Sequence, residues 1–153
     1  MSGDIEVQPC SRCRSDAIVF QAYSGQHLCG GHLYSSIRKR TSRELRLQLD
    51  LPKNATREDD SRFVVLVAVS GGKDSAVLLS MMDEIIGRRR DVELVAGCID
   101  EGIDGYRAPS MEFARELAES IDVRFETLSY EEMGYGRMDE VVQLMPSMGE
   151  NDE

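Results

Sequence analysis

The apolar positions divide the chain into a patternless start, a basic helix and an alternating array of strands and helices. Residues 1–33 are rich in Cys, His, Gly and Ser and hold no lasting period, which predicts loops and short ribbons gathered around a metal. From His32 to about Leu49, the recurrence of Leu33, Ile37, Leu45 and Leu49 at multiples of four predicts a helix. Its other faces carry Arg38, Lys39, Arg40, Arg43 and Arg46. Pro52 to Ser61 is polar, contains Pro and Asn, and reads as a linker.

The pattern then changes abruptly. Phe63–Val69 (FVVLVAV) is an unbroken apolar run of strand length, which predicts a strand covered on both faces in a parallel sheet. It ends in SGGKDS. Ala76 to Ile86 predicts a helix closed by Gly87 and the charges of Arg88 to Arg90. A second strand, Val92 to Ile99, leads into the acidic loop DEGIDGYR (Asp100 to Arg107). A second helix follows from about Ser110 to Ser120, with Met111, Ala114, Leu117, Ala118 and Ile121 as its apolar side. Val123 to Leu128 predicts a third strand, and Asp139 to Met145 a short last helix. Strands and helices alternating at this spacing are the right-handed parallel crossover repeated, hence an α/β layered domain. The expected organisation is a metal knuckle at 1–33, a basic helix with linker at 34–61, and an α/β domain at 62–153.

Length and composition narrow the class further. A chain of 153 residues has room for one ordinary domain and a small satellite. No stretch reaches the roughly 18 apolar residues of a membrane span, and the start, with Asp4 and Glu6, lacks the features of a signal peptide. A cytoplasmic location is expected. The formal charge of −10 arises from 28 acidic against 18 basic residues, of which only Lys39, Lys53 and Lys73 are lysines, a balance that suits a salt-rich cytoplasm. An acidic protein that binds RNA must concentrate positive charge locally, because phosphate binding driven by counterion release weakens as salt rises.

Cys10, Cys13, Cys29 and His32 form C-x2-C-x15-C-x2-H, two close pairs separated by a loop, the spacing by which two knuckles grip a tetrahedral zinc. A segment this small buries too little to offset its chain entropy, whereas structural zinc supplies on the order of 10–16 kcal/mol in small sites. His27 lacks a paired cysteine at this spacing and reads as a surface histidine. All four ligand places are filled, so the site is structural. Cys98, inside the second strand, reads as a small core hydrophobe.

Ser70, Gly71, Gly72, Lys73, Asp74 and Ser75 follow a buried strand and open a helix, where backbone N–H groups and the helix dipole form an anion pocket. The G-x-x-x-x-G-K-[ST] and G-x-G-x-x-G spacings are both absent. The glycines let the main chain approach phosphate oxygens, Ser70 and Ser75 add hydroxyls, and Lys73 adds a charge. Asp74 would repel bare phosphate, and its place makes sense as a Mg2+ ligand or as a carboxylate at the helix N-terminus. Asp100, Glu101 and Gly102, with Cys98, occupy the C-terminal end of the second strand, where open α/β sheets bind ligands, and are candidates for the adenine or ribose neighbourhood.

The string S-G-G-K-D-S, directly after FVVLVAV and before an amphipathic helix, resembles the signature of the PP-loop, or N-type, ATP pyrophosphatases. With the knuckle, the basic helix and IDEGIDGYR, it is similar to one branch, the tRNA 2-thiouridine synthetases, over nearly the whole chain. The resemblance implies an adenine nucleotide alpha hydrolase-like, Rossmann-like parallel sheet, incomplete here. It also implies ATP, Mg2+ and Zn2+ as cofactors, tRNA as partner, and adenylation of a uridine C2 oxygen before sulfur replaces it. Family members take sulfur from a ubiquitin-like carrier and use catalytic cysteines that often hold an iron–sulfur cluster. A C-x2-C pair is expected just after the last helix, where the sequence reads PSMGENDE, so no catalytic residue is assigned and the cluster's ligands are absent. The expectation is a truncated product or one piece of a split enzyme: without the missing half one edge of Phe63–Val69 is bare, and a second chain would supply the remainder. Arg38, Lys39, Arg40, Arg43 and Arg46 read equally as a tRNA-phosphate face and as an ordinary solvated face, with Tyr34 as the nearby aromatic. Alternatives are a noncatalytic zinc, ATP and tRNA-binding module, or another PP-loop pyrophosphatase.

Overall fold

The structure, a computed structural model, describes residues 7–49, 51, 61–103 and 107–144. The expected linker up to residue 60, the middle of the acidic loop at 104–106 and the acidic tail at 145–153 lie outside the described residues. The chain forms two compact units, Met1–Leu51 and Pro52–Glu153.

In the first unit, β1 (Val19–Gln21) and β2 (Gln26–Leu28) form an antiparallel hairpin, followed by α1 (Gly30–Gln48). The hairpin register pairs Val19 with Leu28 and Phe20 with His27, so the two pairs face opposite sides. Leu28 is fully buried, and with Cys10 it completes the buried apolar set of this unit among the described residues. No residue of α1 is buried, so packing contributes little to its 19 residues. Cys29 occupies the position before α1 in an extended conformation without a side-chain cap.

The second unit is built on a three-stranded parallel sheet in the order β3 (Phe63–Ala68), β4 (Val92–Asp100), β5 (Arg124–Ser129). The helix α2 (Lys73–Met82), which continues as a π-helical turn at Asp83–Gly87, packs on β3 and on α3 (Arg107–Ser120). α3 in turn packs on β4 and β5, so both helices cover one face of the sheet. The core lies beneath them: Val67, Val69, Leu79, Met81, Met82, Ile86, Leu94, Ala96, Cys98, Ala114 and Ala118 are buried. α4 (Met138–Leu144) ends the described chain. Among the described residues no helix is long and apolar enough to cross a membrane.

One expectation about β3 is corrected. Its apolar run predicts cover on both faces, but alternate residues differ sharply: Val67 and Val69 are buried, while Val64 and Leu66 are 60% and 64% exposed. Ile99 and Leu128 are also exposed on this side of the neighbouring strands, whereas Val95, beside Leu66, is buried. The outer edge of β3 has no partner strand among the described residues.

At the start of β4, Arg89 clasps Asp91 through two hydrogen bonds, Nε to Oδ1 at 2.9 Å and Nη2 to Oδ2 at 2.6 Å. The guanidinium holds the Asp91 carboxyl below its ordinary pKa. The Asp91 carbonyl accepts the Phe63 N–H at 2.8 Å, so this clasp fixes where β3 and β4 begin.

Candidate functional site

The first unit brings all four predicted ligands together. Cys10 Sγ and Cys29 Sγ each lie 3.4 Å from His32 Nδ1, Cys13 Sγ lies 3.6 Å from Cys29 Sγ, and all four donor atoms fall within 4.8 Å of one another. A tetrahedral ion bound at ordinary zinc distances spaces such donors by about 3.5–3.8 Å. The set therefore fits a single ion and is too tight for a four-iron cube, whose liganding sulfurs sit outside four metal atoms. Burial raises the Cys10 thiol, but N–H groups of Cys29, Arg12 and Cys13 and the Cys13 thiol outweigh it and bring Cys10 down to about 6. The His32 N–H favours the Cys29 thiolate, yet burial and the adjoining Cys13 and Cys10 hold Cys29 above its ordinary value. A cation would relieve that crowding of sulfurs. His27 stays outside the cluster, its ring 4.8 Å from that of Phe20.

In the second unit the predicted phosphate loop runs from the end of β3 into α2. Gly71 adopts φ +78°, and a Cβ there would overlap the Ser110 carbonyl and lie 2.7 Å from its Cα, so the first turn of α3 closes directly over the loop. The Ser75 hydroxyl donates to the Gly72 carbonyl at 2.9 Å, accepts the Ser70 N–H at 3.2 Å and sits 3.3 Å from the Ser70 hydroxyl. Gly72 precedes α2 without a side-chain cap, which leaves the first N–H groups of the helix for an anion. Lys73 and Asp74 are exposed beside them.

The register that pairs Ala68 with Gly97 and Asp100 with Ser129 brings the loops after β3, β4 and β5 to one end of the sheet. There Asp100 accepts the Gly102 N–H at 2.9 Å and so shapes its own loop. Gly102, at φ +71°, lies against the Arg137 side chain, and the Glu101 carbonyl accepts the Met138 N–H at 2.9 Å. Arg137 is a residue the sequence did not single out, because 35 positions separate it from Gly102. Cys98 is 4% exposed and belongs to the core.

Three of the basic residues of α1 have local partners. Arg43 pairs with Glu44 at 3.0 Å, Arg46 donates to the Ser42 carbonyl and hydroxyl at 3.0 Å each, and Arg40 stacks 4.1 Å from the ring centre of Tyr23. The aromatic neighbour of this face is thus Tyr23, folded back by the hairpin, in addition to Tyr34.

A parallel sheet that delivers S-G-G-K-D-S to a helix N-terminus defines a PP-loop α/β domain, here joined to a Cys/His knuckle. Comparison with known proteins agrees. Residues 10–34 match the family model described as "2-thiouridine synthetase TtuA, N-terminal LIM domain". The tRNA 2-thiolation protein NcsA of Haloferax volcanii is 42% identical over 137 residues, 90% of this chain and 42% of that protein. The cytoplasmic tRNA 2-thiolation protein 1 of Lodderomyces elongisporus is 43% identical over 86 residues, 56% of this chain and 23% of that one. The structure of the U34-tRNA thiolase NcsA from Methanococcus maripaludis with its 4Fe–4S cluster superposes with a TM-score of 0.70 at 25% identity, covering 94% of this chain and 46% of that chain. By its knuckle, its phosphate loop and these matches, the chain is similar to the N-terminal part of the PP-loop tRNA 2-thiouridine synthetases. It spans less than half the length of the relatives it matches.

Proposed function

We propose that this chain is the ATP-binding part of a cytoplasmic tRNA-thiolating enzyme that adenylates the C2 oxygen of a tRNA uridine before sulfur transfer. The observation that carries this reading is the loop itself. Gly71 turned to positive φ, the paired hydroxyls of Ser70 and Ser75 and the uncapped start of α2 form a cradle of donors for a polyphosphate. Lys73 adds positive charge, and Asp74 would hold Mg2+, which spreads the charge of the leaving pyrophosphate. Asp100, Glu101 and Gly102 flank the adenosine end of the same sheet edge, Asp100 by shaping the loop. The uridine C2 oxygen attacks the α-phosphorus and pyrophosphate leaves. Sulfur then attacks C2, and the oxygen departs with AMP.

Cys10, Cys13, Cys29 and His32 hold Zn2+ as a structural ion. Three cysteines converge there and Cys98 is buried, so we assign the sulfur-delivering thiol and the ligands of any iron–sulfur cluster to a further polypeptide, with a ubiquitin-like sulfur carrier as a further partner. The bare edge of β3 and the open face of Val64, Leu66, Ile99 and Leu128 are where we place that further polypeptide. Arg38, Lys39, Arg40, Arg43 and Arg46 contact tRNA. The buried state of Cys98 equally suits a noncatalytic ATP and tRNA-binding module. The test is the 2-thiouridine content of tRNA, by mass spectrometry, in cells lacking this chain. The expected result is a loss restored by the wild-type chain but not by Ser75→Ala. An unchanged content on loss of the chain overturns the proposal.

A further inference from the structure

We infer that the β1–β2 hairpin and α1 form a docking surface for unpaired RNA nucleotides, with bases stacking on Tyr23 and Phe20 and the backbone held by the cations of α1. The inference rests on the tRNA reading above and assigns its contact to particular side chains.

Charge is the first observation. Residues 1–51 carry seven Lys and Arg against five Asp and Glu, while residues 52–153 carry 11 against 23. The two compact units therefore have opposite sign, and the long-range attraction of a nucleic-acid backbone favours the first. Within it, Lys39, Arg40, Arg43 and Arg46 line a concavity of about 350 Å³ together with Leu47.

The second observation is a set of exposed rings on the hairpin, one of which, Tyr23, folding places beside those cations. The Arg40 guanidinium lies 4.1 Å from the centre of the Tyr23 ring, so one residue joins the cationic concavity to the hairpin tip. Tyr23 is 62% exposed, although its ring already holds a cation against it. Phe20 is 55% exposed and pairs across the hairpin with His27 at 4.8 Å, on the side opposite the buried Leu28. An exposed Tyr, a Phe–His pair and a planar guanidinium are the side chains on which splayed bases stack, whereas paired bases in a duplex offer no free face. An acidic protein partner would use the cations but has no need of the rings.

The test uses the full zinc-loaded chain, a 5-iodouridine-containing single-stranded oligonucleotide, a duplex of equal charge, whole tRNA and poly-glutamate. Tyr23 and Phe20 are exposed, so Tyr23→Ala and Phe20→Ala leave the fold intact, as zinc content and circular dichroism check. Arg40→Lys keeps the charge and removes the planar stack. The expected results are preference for the single strand over the duplex, photocrosslinks at Tyr23 or Phe20, and at least about five-fold weaker binding for each variant. The slope of affinity against salt stays unchanged in Arg40→Lys. Binding of tRNA with no crosslink on the hairpin and no effect of the three substitutions overturns this inference alone. Poly-glutamate binding as tight as RNA also overturns it, in favour of a protein partner. Failure of the wild-type chain to bind tRNA overturns both this inference and the reading beneath it.

Discussion

Replacing Gly71 by alanine adds one methyl group at a point where two separate obstacles coincide. The residue sits at φ +78°, a region that costs an L-residue roughly 1–2 kcal/mol. The added Cβ would also overlap the backbone of Ser110, with the carbonyl carbon at 2.6 Å and Cα at 2.7 Å, and backbone in the first turn of α3 cannot swing aside as a side chain can. Forcing such overlaps apart costs about 1–3 kcal/mol. The total of about 2–5 kcal/mol lowers the urea midpoint of the second unit by about 1 M or more. Gly72→Ala is the internal control. Its φ is −84°, and its Cβ meets only the Ser70 hydroxyl, at 3.4 Å, so its midpoint stays near wild type. Gly71→Asn separates the two obstacles, because asparagine tolerates positive φ yet still carries a Cβ. The assay is urea unfolding of the zinc-loaded chain followed by circular dichroism. Equal midpoints for Gly71→Ala and Gly72→Ala would show that α3 does not press on the loop as described.

Three further outcomes are expected. Chelation of the metal, or Cys29→Ser, unfolds the first unit and removes the helicity of α1, since Cys10 and Leu28 are its buried apolar residues among those described; unchanged ellipticity after verified metal loss would contradict this. Asp91→Asn lowers the urea midpoint of the second unit at neutral pH. Because Arg89 lowers the folded pKa of Asp91, its contribution is full above the unfolded carboxylate pKa and is lost as pH falls through the folded value; a wild-type to mutant gap in urea midpoint that persists at the most acid pH would count against the clasp. Val64→Thr with Leu66→Lys raises the concentration at which the chain stays monomeric by light scattering, and no change would mean that the open face of the sheet does not drive association.

The elements were legible where their period was strong, and less so where chemistry overrode it. The ligand spacing of Cys10, Cys13, Cys29 and His32 fixes its own geometry, because four donors that share an ion must converge. The strand before S-G-G-K-D-S was equally plain. Its open face was not, since a run in which every position is apolar hides the period of two that tells one side from the other. α3 begins at Arg107 rather than near Ser110, because Pro109 is tolerated in the first turn of a helix, where no N–H is required. The Tyr23–Arg40 stack joins residues 17 positions apart through a hairpin that doubles back, and Arg137 reaches Gly102 across β5; neither contact leaves a local trace in the sequence.

The central claim is that Ser70 to Ser75 hold the phosphates of ATP. Calorimetric titration of the zinc-loaded chain with ATP and Mg2+ tests it directly. The account predicts a single site that Asp74→Ala and Ser75→Ala each weaken at least about ten-fold, the loss of one charge-assisted contact. Binding of equal strength in wild type and both variants, or no heat at all from the folded wild-type chain, would contradict it.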